Sequence, residues 1–472
     1  MIDHQTIERL AAIVGRKRVL ARDNELLTYE SDALPTHHRR PSVAVFPGSR
    51  EEVIAVVRLL AELKLPFVPR GSGTGLSGGA LADGTVLIGL HRLRQILSID
   101  AENGLAVVEP GVVNATLSRA VAPYGLHYAP DPSSQTACTI GGNVAENSGG
   151  PHCLKYGVTT NHIVGLTALL PDGSIHTLAG AMGETGGFDL VGAFVGSEGC
   201  FGIALDVTVR LTRLPETIRT ILADFTSMDS AARTVSAIVA TGIVPAALEM
   251  IDQATVIAVE SSIYAAGYPT DAAAVLLIEL DGAADGIDED VEVVSKLCTK
   301  GGARTISVAS AEADRMRLWQ GRKKAFGAMG RISPHLVVQD AVVPRTKLPE
   351  ILAEIARVAA DLNLRIANVF HAGDGNLHPN ISYDANDADE TERVQQAMRA
   401  IMTACIDAGG SITGEHGVGL DKLAYMESTF SDASLDAMCA LRSVFDPDRR
   451  ANPGKAVPTH ACREWYGVRQ SA

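Results

Sequence analysis

A chain of 472 residues is long enough for two or three domains with cores of their own. Hydrophobic residues make up 46% and charged residues 20%, which is typical of an ordinary soluble globular protein. The net charge of −14 argues against nucleic acid or an acidic membrane surface as a partner, so an anionic substrate would need a local basic pocket.

The first two hundred residues alternate predicted strands and helices. "SVAVFP" (42–47) is typical of a buried strand, and Ser49 with Glu52 forms a capping box that opens a helix. The helix carries apolar residues at helical spacing from Val53 to Leu63. "PFVP", "TVLIGL" and "LAVVEPG" follow as further strands.

The pattern changes after about residue 215, where glycine clusters become rare. The strand-like stretches "RTILADF", "AVLLIELDG", "RTISVAS" and "RIANVF" are separated by long amphipathic helices such as 348–362. This alternation predicts a separate α+β domain. The later stretch "FDPDRRANPGK" (445–455) is rich in Pro and Asn and predicts an irregular, ordered strap.

Seven cysteines are widely spread and none forms a CxxC pair, so no iron–sulfur ligand set is visible and free thiols in a reducing compartment are expected. The start "MIDHQTIERL" lacks the apolar core of a signal peptide, and no apolar run reaches the length of a membrane span. We therefore expect a cytoplasmic protein.

Three glycine-rich loops stand out in the first part of the chain. "PRGSGTGLSGG" (69–79) matches the dinucleotide fingerprint formally, but a strand rather than a helix follows, so we reject that interpretation. Its glycines can still let backbone N–H groups converge on phosphate oxygens. The loops at 130–150 and 195–203 add hydroxyls, amides and more glycines. Together they favour a large cofactor with a pyrophosphate over simple turns between strands.

"HAGDGNLH" (371–378) places two histidines around a turn, and "TGEHGVG" (413–419) places Glu415 beside His416. Two imidazoles and a carboxylate suit a divalent cation of the zinc or manganese type, although exposed loop histidines are an alternative explanation. In "WQGRKKAF" (319–326), Arg322 could grip a carboxylate with two parallel hydrogen bonds. A solvated basic helix face is the alternative there, and we accept it for Lys323.

These motifs resemble, in order and over nearly the whole chain, the FAD-linked 2-hydroxy-acid dehydrogenases of the vanillyl-alcohol-oxidase-type flavin fold. The resemblance is greatest to the flavin-bearing large subunits of bacterial glycolate oxidases, with D-lactate and D-2-hydroxyglutarate dehydrogenases as relatives. It implies an α+β protein with a two-part FAD-binding domain and a ferredoxin-like α+β cap domain that holds the substrate. The implied segments are 1–215 for FAD binding, 216–415 for the cap and 416–472 returning to the flavin.

The resemblance also implies non-covalent FAD, wrapped by the three loops and approached by the strap. The implied residues are Pro69, Arg70, Gly71, Ser72, Gly73, Thr74, Gly75, Gly78 and Gly79 in the first loop, Pro130, Asp131, Ser133, Gly141, Gly142, Asn143 and Gly149 in the second, Glu198, Gly199, Gly202 and Ile203 in the third, and Asn452 in the strap.

For the chemistry, the resemblance implies a divalent metal on His371, His378 and Glu415, and Arg322 on the substrate carboxylate. Lys324 is a second candidate for that carboxylate. We expect His416 to act as the general base that removes the hydroxyl proton, while flavin N5 accepts the hydride. His152 and Lys155, which follow the second loop, are candidates for supporting positions only.

The expected activity is oxidation of glycolate first and D-lactate second. Alternatives are a D-2-hydroxyglutarate or other (R)-2-hydroxy-acid dehydrogenase acting alone, a flavin-dependent ether-lipid synthase, and a non-catalytic FAD-binding subunit. The resemblance implies an iron–sulfur subunit and a smaller flavoprotein-like subunit as partners, with at most a peripheral association at the inner membrane.

Overall fold

The computed structural model describes residues 2–180 and 186–458. The chain forms two compact units: unit 1 comprises residues 1–149, 158–214 and 415–472, and unit 2 comprises residues 150–157 and 215–414. The sequence patterns did not predict that the short segment 150–157 belongs with unit 2.

The strands of the described residues are numbered in chain order. They are β1 Val19–Leu20, β2 Val43–Val45, β3 Phe67–Arg70, β4 Val86–Gly89, β5 Ile96–Asp100, β6 Leu105–Val108, β7 Leu126–His127, β8 Ile163–Leu169, β9 Ile175–Leu178, β10 Ile203–Arg210, β11 Thr212–Arg213, β12 Thr217–Phe225, β13 Ala247–Asp252, β14 Ala274–Gly282, β15 Ala303–Ala309, β16 His335–Val338, β17 Ala341–Val342, β18 Arg365–His371, β19 Asn376–Leu377 and β20 Pro379–Tyr383.

The α-helices are numbered in the same way. They are α1 His4–Val14, α2 Asp23–Leu26, α3 Arg50–Glu62, α4 Asn114–Val121, α5 Ile140–Glu146, α6 Cys153–Tyr156, α7 Leu190–Phe194, α8 Met228–Val239, α9 Gln253–Glu260, α10 Ile287–Lys300, α11 Glu312–Lys323, α12 Ala325–Met329, α13 Leu348–Asp361, α14 Ala388–Asp407, α15 Met426–Thr429 and α16 Asp432–Phe445.

Unit 1 contains a small sheet in the order β1-β2-β4-β3, in which β2, β4 and β3 are parallel. Helix α3 covers this sheet, and the apolar residues that predicted the helix, including Val53 and Leu60, lie in the same buried cluster as the strands. A second, antiparallel sheet has the order β5-β6-β10-β8-β9. The first glycine loop leaves the small sheet at the carboxyl end of β3.

The predicted strap also lies in unit 1. The backbone N–H of Phe67, in β3, donates to Arg450 O (2.9 Å), and the N–H of Asn452 donates to Phe67 O (2.8 Å). The stretch after α16 thus runs beside the strand that carries the first glycine loop.

Unit 2 is built on one antiparallel sheet flanked by helices. Its strands β15, β12, β14 and β13 are neighbours in that order, and α8 and α10 provide the crossovers, which is the topology of a ferredoxin-like βαββαβ unit. This confirms the predicted ferredoxin-like α+β domain. The sheet continues from β13 into β18, which carries the "HAGDGNLH" turn.

Across the described ranges, no helix is long and apolar enough to cross a membrane. Cys138, Cys153, Cys200, Cys298 and Cys405 are free thiols. Cys462 lies outside the described residues.

Candidate functional site

The first glycine loop of unit 1 is shaped by Arg70, the last residue of β3. The Arg70 guanidinium donates to Ser31 O (3.0 Å) and crosses the space where a side chain at Gly73 would lie. Gly73 and Gly78 have φ angles of 69° and 75°, a conformation that favours glycine. The sequence signal of repeated glycines therefore has a direct steric cause.

The second loop packs directly on the first. Ser72 Oγ donates to Ala137 O (2.6 Å), and a Cβ at Gly71 would overlap Thr139 Oγ1. Thr139 also begins α5, because its Oγ1 accepts the Gly142 N–H (3.2 Å). Asn143 lies buried in α5. Pro130, Asp131 and Ser133 precede this contact, and Gly141, Gly142 and Gly149 follow it.

The third loop and the strap are fastened to the first loop by Asn452. The Asn452 side-chain amide donates to Gly79 O (2.9 Å) and Glu198 O (2.5 Å), and its Oδ1 accepts from Lys455 Nζ (2.6 Å). A Cβ at Gly199 would overlap the ring of Pro69, so the third loop approaches the first loop too closely for a side chain at this position. Gly202 and Ile203 lead from the loop into β10.

Burial lowers the pKa of Lys455 to about 8, which the nearby charges of Cys200 and Glu198 partly offset. Lys455 nevertheless donates to Leu81 O (2.6 Å), next to the end of the first loop. Three glycine loops and the strap are thus connected to one another and partly buried.

This assembly retains polar atoms that suit a phosphate-bearing cofactor. The Ser77 and Ser197 side-chain oxygens are buried and have no hydrogen-bond partner among the described residues. Buried hydroxyls normally find a partner, so they are available to oxygen atoms of a bound cofactor. The residues fit FAD.

The side chain of Glu198 binds the "TGEHGVG" segment. Its carboxylate oxygens accept the N–H groups of Val418 and Gly419, each at 2.7 Å. Gly417 has a φ of 83°, and a Cβ there would overlap the Glu146 carboxylate. Burial and the nearby Glu198 charge raise the pKa of Glu146 well above its ordinary value. The family resemblance implied a cofactor role for Glu198, and this contact was not predicted.

His416 and Glu415 precede that anchored stretch, and both are largely buried. His416 Nε2 lies 4.0 Å from Glu415 Oε1. The anchored backbone therefore fixes the course of the segment that presents the proposed base.

In unit 2, the structure brings His371 and His378 together. His371 ends β18 and His378 lies between β19 and β20, and their ring centroids are 5.1 Å apart with the planes at 86°. Both are buried, with ring nitrogens within 4.8 Å of each other. The exposed-loop alternative is wrong for both histidines.

Hydrogen bonds set the orientation of both rings. His378 Nδ1 must donate to Gln339 O (3.2 Å), because a carbonyl oxygen only accepts. His371 Nδ1 contacts Glu249 Oε1 at 2.7 Å. Both rings therefore offer Nε2 as a cation ligand, an arrangement common among metal-binding histidines.

Arg322 lies in the last turn of α11 and is 1% exposed. Its Nε and Nη2 atoms each lie 2.5 Å from Glu249 Oε2. Burial alone would raise the pKa of Glu249, but the charges of Arg322 and His371 outweigh it and hold the pKa below its ordinary value. Arg322 is therefore not part of a solvated face.

The neighbouring basic residues differ from Arg322. Lys324 follows α11 and is exposed, and Lys323 Nζ lies 5.8 Å from the ring centroid of Trp319. Trp319 Nε1 donates to Glu279 (2.5 Å), which also contacts His152 Nε2 (3.1 Å). Lys155 pairs with Asp281, so the segment 150–157 is tied to β14.

Two acidic residues of unit 2 were missed by the sequence analysis. Glu249 is fully buried, and so is Asp340, whose Oδ2 accepts from Thr413 Oγ1 (2.6 Å) and Gly414 N (2.9 Å). A carboxylate oxygen of Asp340 lies within 4.8 Å of a His378 ring nitrogen. Each acid interrupts an apolar strand-like run, "AALEMI" or "VVQDAVV", and that signal could have identified them.

Comparison with known proteins identifies the family. The FAD binding domain model matches residues 41–179, and the model of FAD linked oxidases, C-terminal domain, matches residues 214–456. The glycolate oxidase subunit GlcD of Escherichia coli (strain K12) is 46% identical over 95% of this chain and 90% of its own length. The D-lactate dehydrogenase of Anaerostipes hadrus is 34% identical over 94% of this chain and 95% of its own.

The crystal structure of p-cresol methylhydroxylase with substrate bound superposes with a TM-score of 0.81, covers 97% of both chains and is 17% identical, a likeness that shows the fold alone. That fold is the vanillyl-alcohol-oxidase type. The chain therefore belongs to the FAD linked oxidases, among the FAD-linked 2-hydroxy-acid dehydrogenases with this fold, and is an FAD-linked oxidoreductase.

Proposed function

We propose that this protein oxidises a small 2-hydroxy acid to the 2-oxo acid, with glycolate preferred and D-lactate second. The observation that carries the proposal is the buried group of His371, His378 and Arg322 in unit 2, which combines two imidazoles suited to a cation with a guanidinium suited to a carboxylate. Relatives named as a glycolate oxidase subunit and a D-lactate dehydrogenase support this choice of substrates.

Arg322 would bind the substrate carboxylate. Its bonds to Glu249 use Nε and Nη2, so N–H donors of the guanidinium remain for a bidentate contact. Lys324, exposed at the end of the same helix, is the second candidate for this anion.

His371, His378 and Glu415 would hold a divalent cation of the zinc or manganese type. The Nε2 atoms of the two histidines are suited to it, and Glu415 follows Gly414, whose N–H is held by Asp340. Such a cation, when bound, polarises an alcohol oxygen and makes its proton easier to remove. His416 would then take the hydroxyl proton on its neutral imidazole.

The three glycine loops and Asn452 would bind FAD non-covalently, with Ser77 and Ser197 offering hydroxyls to its oxygen atoms. FAD supplies the acceptor for the hydride that leaves C2, at flavin N5. The substrate would thus lose a proton to His416 and a hydride to the flavin, and the product would be the 2-oxo acid.

Electrons must then leave the flavin. Because the E. coli relative is named as a subunit, we propose that an iron–sulfur subunit and a smaller flavoprotein-like subunit receive them, in a complex peripheral to the inner membrane. Because this sequence holds no CxxC pair, the electrons would leave for a carrier outside this chain.

The experiment that tests the proposal is anaerobic. Purified yellow protein is mixed separately with glycolate, D-lactate, L-lactate and D-2-hydroxyglutarate, and the oxidised flavin band near about 450 nm is followed. We expect glycolate to bleach it fastest, D-lactate next, and L-lactate, the matched stereochemical control, not at all.

Bleaching only by D-2-hydroxyglutarate would show that the substrate is this larger acid and not glycolate. Yellow protein that no acid bleaches would contradict the proposal and favour a non-catalytic subunit or the non-redox ether-lipid chemistry. Adding long acyl substrates would distinguish these two possibilities, because only a protein with the ether-lipid chemistry would convert them.

A further inference from the structure

A single carboxylate joins the two parts of the proposed acid-binding group in unit 2. Glu249 is 0% exposed, and its Oε1 contacts His371 Nδ1 (2.7 Å) while its Oε2 contacts Arg322 Nε and Nη2 (2.5 Å each). Glu249 belongs to none of the sequence motifs that point to this group.

We propose that Glu249 is a positioning residue that fixes His371 for a divalent cation and Arg322 for the substrate carboxylate. The inference rests on the function proposed above, because that function supplies the cation and the acid. It adds one residue that links the binding of the two.

The strand register explains why these side chains meet. Glu249 in β13 lies directly opposite His371 in β18, so the two side chains project from the same face of the sheet. The alternation of side chains along β13 places neighbouring residues on the other face. A one-residue shift in register would separate the pair.

The ionised state of Glu249 determines which nitrogen of His371 carries the proton. A carboxylate only accepts, so Nδ1 must be the donor and Nε2 keeps its lone pair for a cation. A glutamine at this position could donate its amide N–H to Nδ1, while its oxygen still accepted from Arg322. The proton of His371 would then sit on Nε2 and block the ligand atom.

Glu249 also supplies the negative charge that compensates Arg322. Without it, a buried guanidinium would repel a nearby cation, because charges in a buried site are poorly screened. Both effects of Glu249 favour cation binding by the histidines.

The test measures cation affinity directly. Holoenzyme is stripped with a chelator, and Mn²⁺ and Zn²⁺ binding are titrated in competition with a chromophoric chelator, for the wild type and for Glu249→Gln. We expect affinity to fall about 10- to 100-fold, the usual effect of losing an outer carboxylate partner of a metal-binding histidine.

The matched control is Glu279→Gln. Glu279 is also a buried glutamate in the same sheet that contacts an imidazole, His152, and a helix residue, Trp319. Its substitution should leave cation affinity within about twofold, because neither partner belongs to the proposed ligand set.

If Glu249→Gln does not fold because Arg322 loses its counterion, the double variant Glu249→Leu, Arg322→Met is titrated instead, because it removes the buried charge and leaves His371 Nδ1 without its acceptor. Weak binding there supports the inference. The inference would be overturned if either variant bound the cation with wild-type affinity. It would also be overturned if Glu279→Gln lost as much cation affinity as Glu249→Gln, or if the wild type bound no cation. Flavin bleaching by the acids, measured separately, reports on the proposed function independently.

Discussion

The carboxylate of Glu198 accepts a hydrogen bond from the backbone N–H of Val418 at 2.7 Å, two residues beyond His416. The next N–H, of Gly419, donates to the other oxygen of the same carboxylate. The Glu198 backbone oxygen accepts from Asn452. One residue thus ties the third glycine loop to the strap and to the segment that carries the proposed base.

Replacing Glu198 by Gln should disturb that segment. The glutamine oxygen can accept from one N–H, but its amide group meets the other N–H as a second donor. We expect flavin reduction by glycolate to slow on the order of 10²-fold, the effect of misplacing a reacting group by about 1 Å. Stopped-flow anaerobic reduction measures it. Glu146→Gln is the control. Equal rates of flavin reduction in the Glu198 variant and the wild type would contradict the role of Glu198 in fixing the segment that carries His416.

Glu146 should make stability depend on pH. Its pKa in the folded protein is raised above its ordinary value near 4.5, so the folded state binds the proton more tightly than the unfolded state. That contribution is fully present below pH 4.5 and is lost as the pH rises toward the folded pKa.

Glu146→Gln cannot lose a proton and should therefore gain stability relative to the wild type as the pH rises from about 5 to about 8. Urea unfolding of both proteins at the two pH values measures the difference. The same stability gap at both values would show that Glu146 does not titrate as described.

Arg322→Lys should weaken substrate binding. A lysine keeps the charge but cannot hold a carboxylate with two parallel hydrogen bonds. Losing one charge-assisted bond costs about 1.5–3 kcal/mol, so KM for glycolate should rise roughly 10- to 100-fold. Steady-state kinetics with an artificial electron acceptor provide the measurement. A wild-type KM would place carboxylate binding elsewhere, and Lys323→Arg serves as the neighbouring control.

His416→Ala should keep FAD but slow its reduction by about two to four orders of magnitude, the usual contribution of a general base. The absorbance ratio of flavin to protein checks the FAD content, and rapid mixing with glycolate checks the rate. Reduction at the wild-type rate would remove His416 from the proposed chemistry.

Local sequence signals predicted much of the fold because the deciding interactions are short in range. Ser49 begins α3 as predicted, and its Oγ accepts the Glu52 N–H (3.3 Å). The reciprocal half of the capping box is absent, since Glu52 accepts from Gly48 N (2.6 Å) and from Arg18 instead. Helix 348–362 was predicted from its apolar face, and α13 spans Leu348–Asp361.

Candidate site residues could be named from the sequence where motifs place them next to glycines, but a partner from a distant strand was missed. His371 and Arg322 could be identified from their own motifs. Their common partner Glu249 is separated from them by 122 and 73 residues. The sheet register brings Glu249 to His371, whereas Arg322 reaches it from helix α11. The contact of segment 150–157 with β14 escaped prediction for the same reason, because Lys155 and Asp281 are 126 residues apart.

The bonds that join Phe67 to Arg450 and Asn452 have a consequence for biosynthesis. The strand carrying the first glycine loop is made early, but its neighbour in the strap emerges from the ribosome almost four hundred residues later. The continuous stretch 215–414 has its own apolar core and can fold while that strand still waits. We therefore expect capture of the cofactor at the end of synthesis, and a nascent chain that stalls before residue 450 should carry a folded unit 2 without flavin.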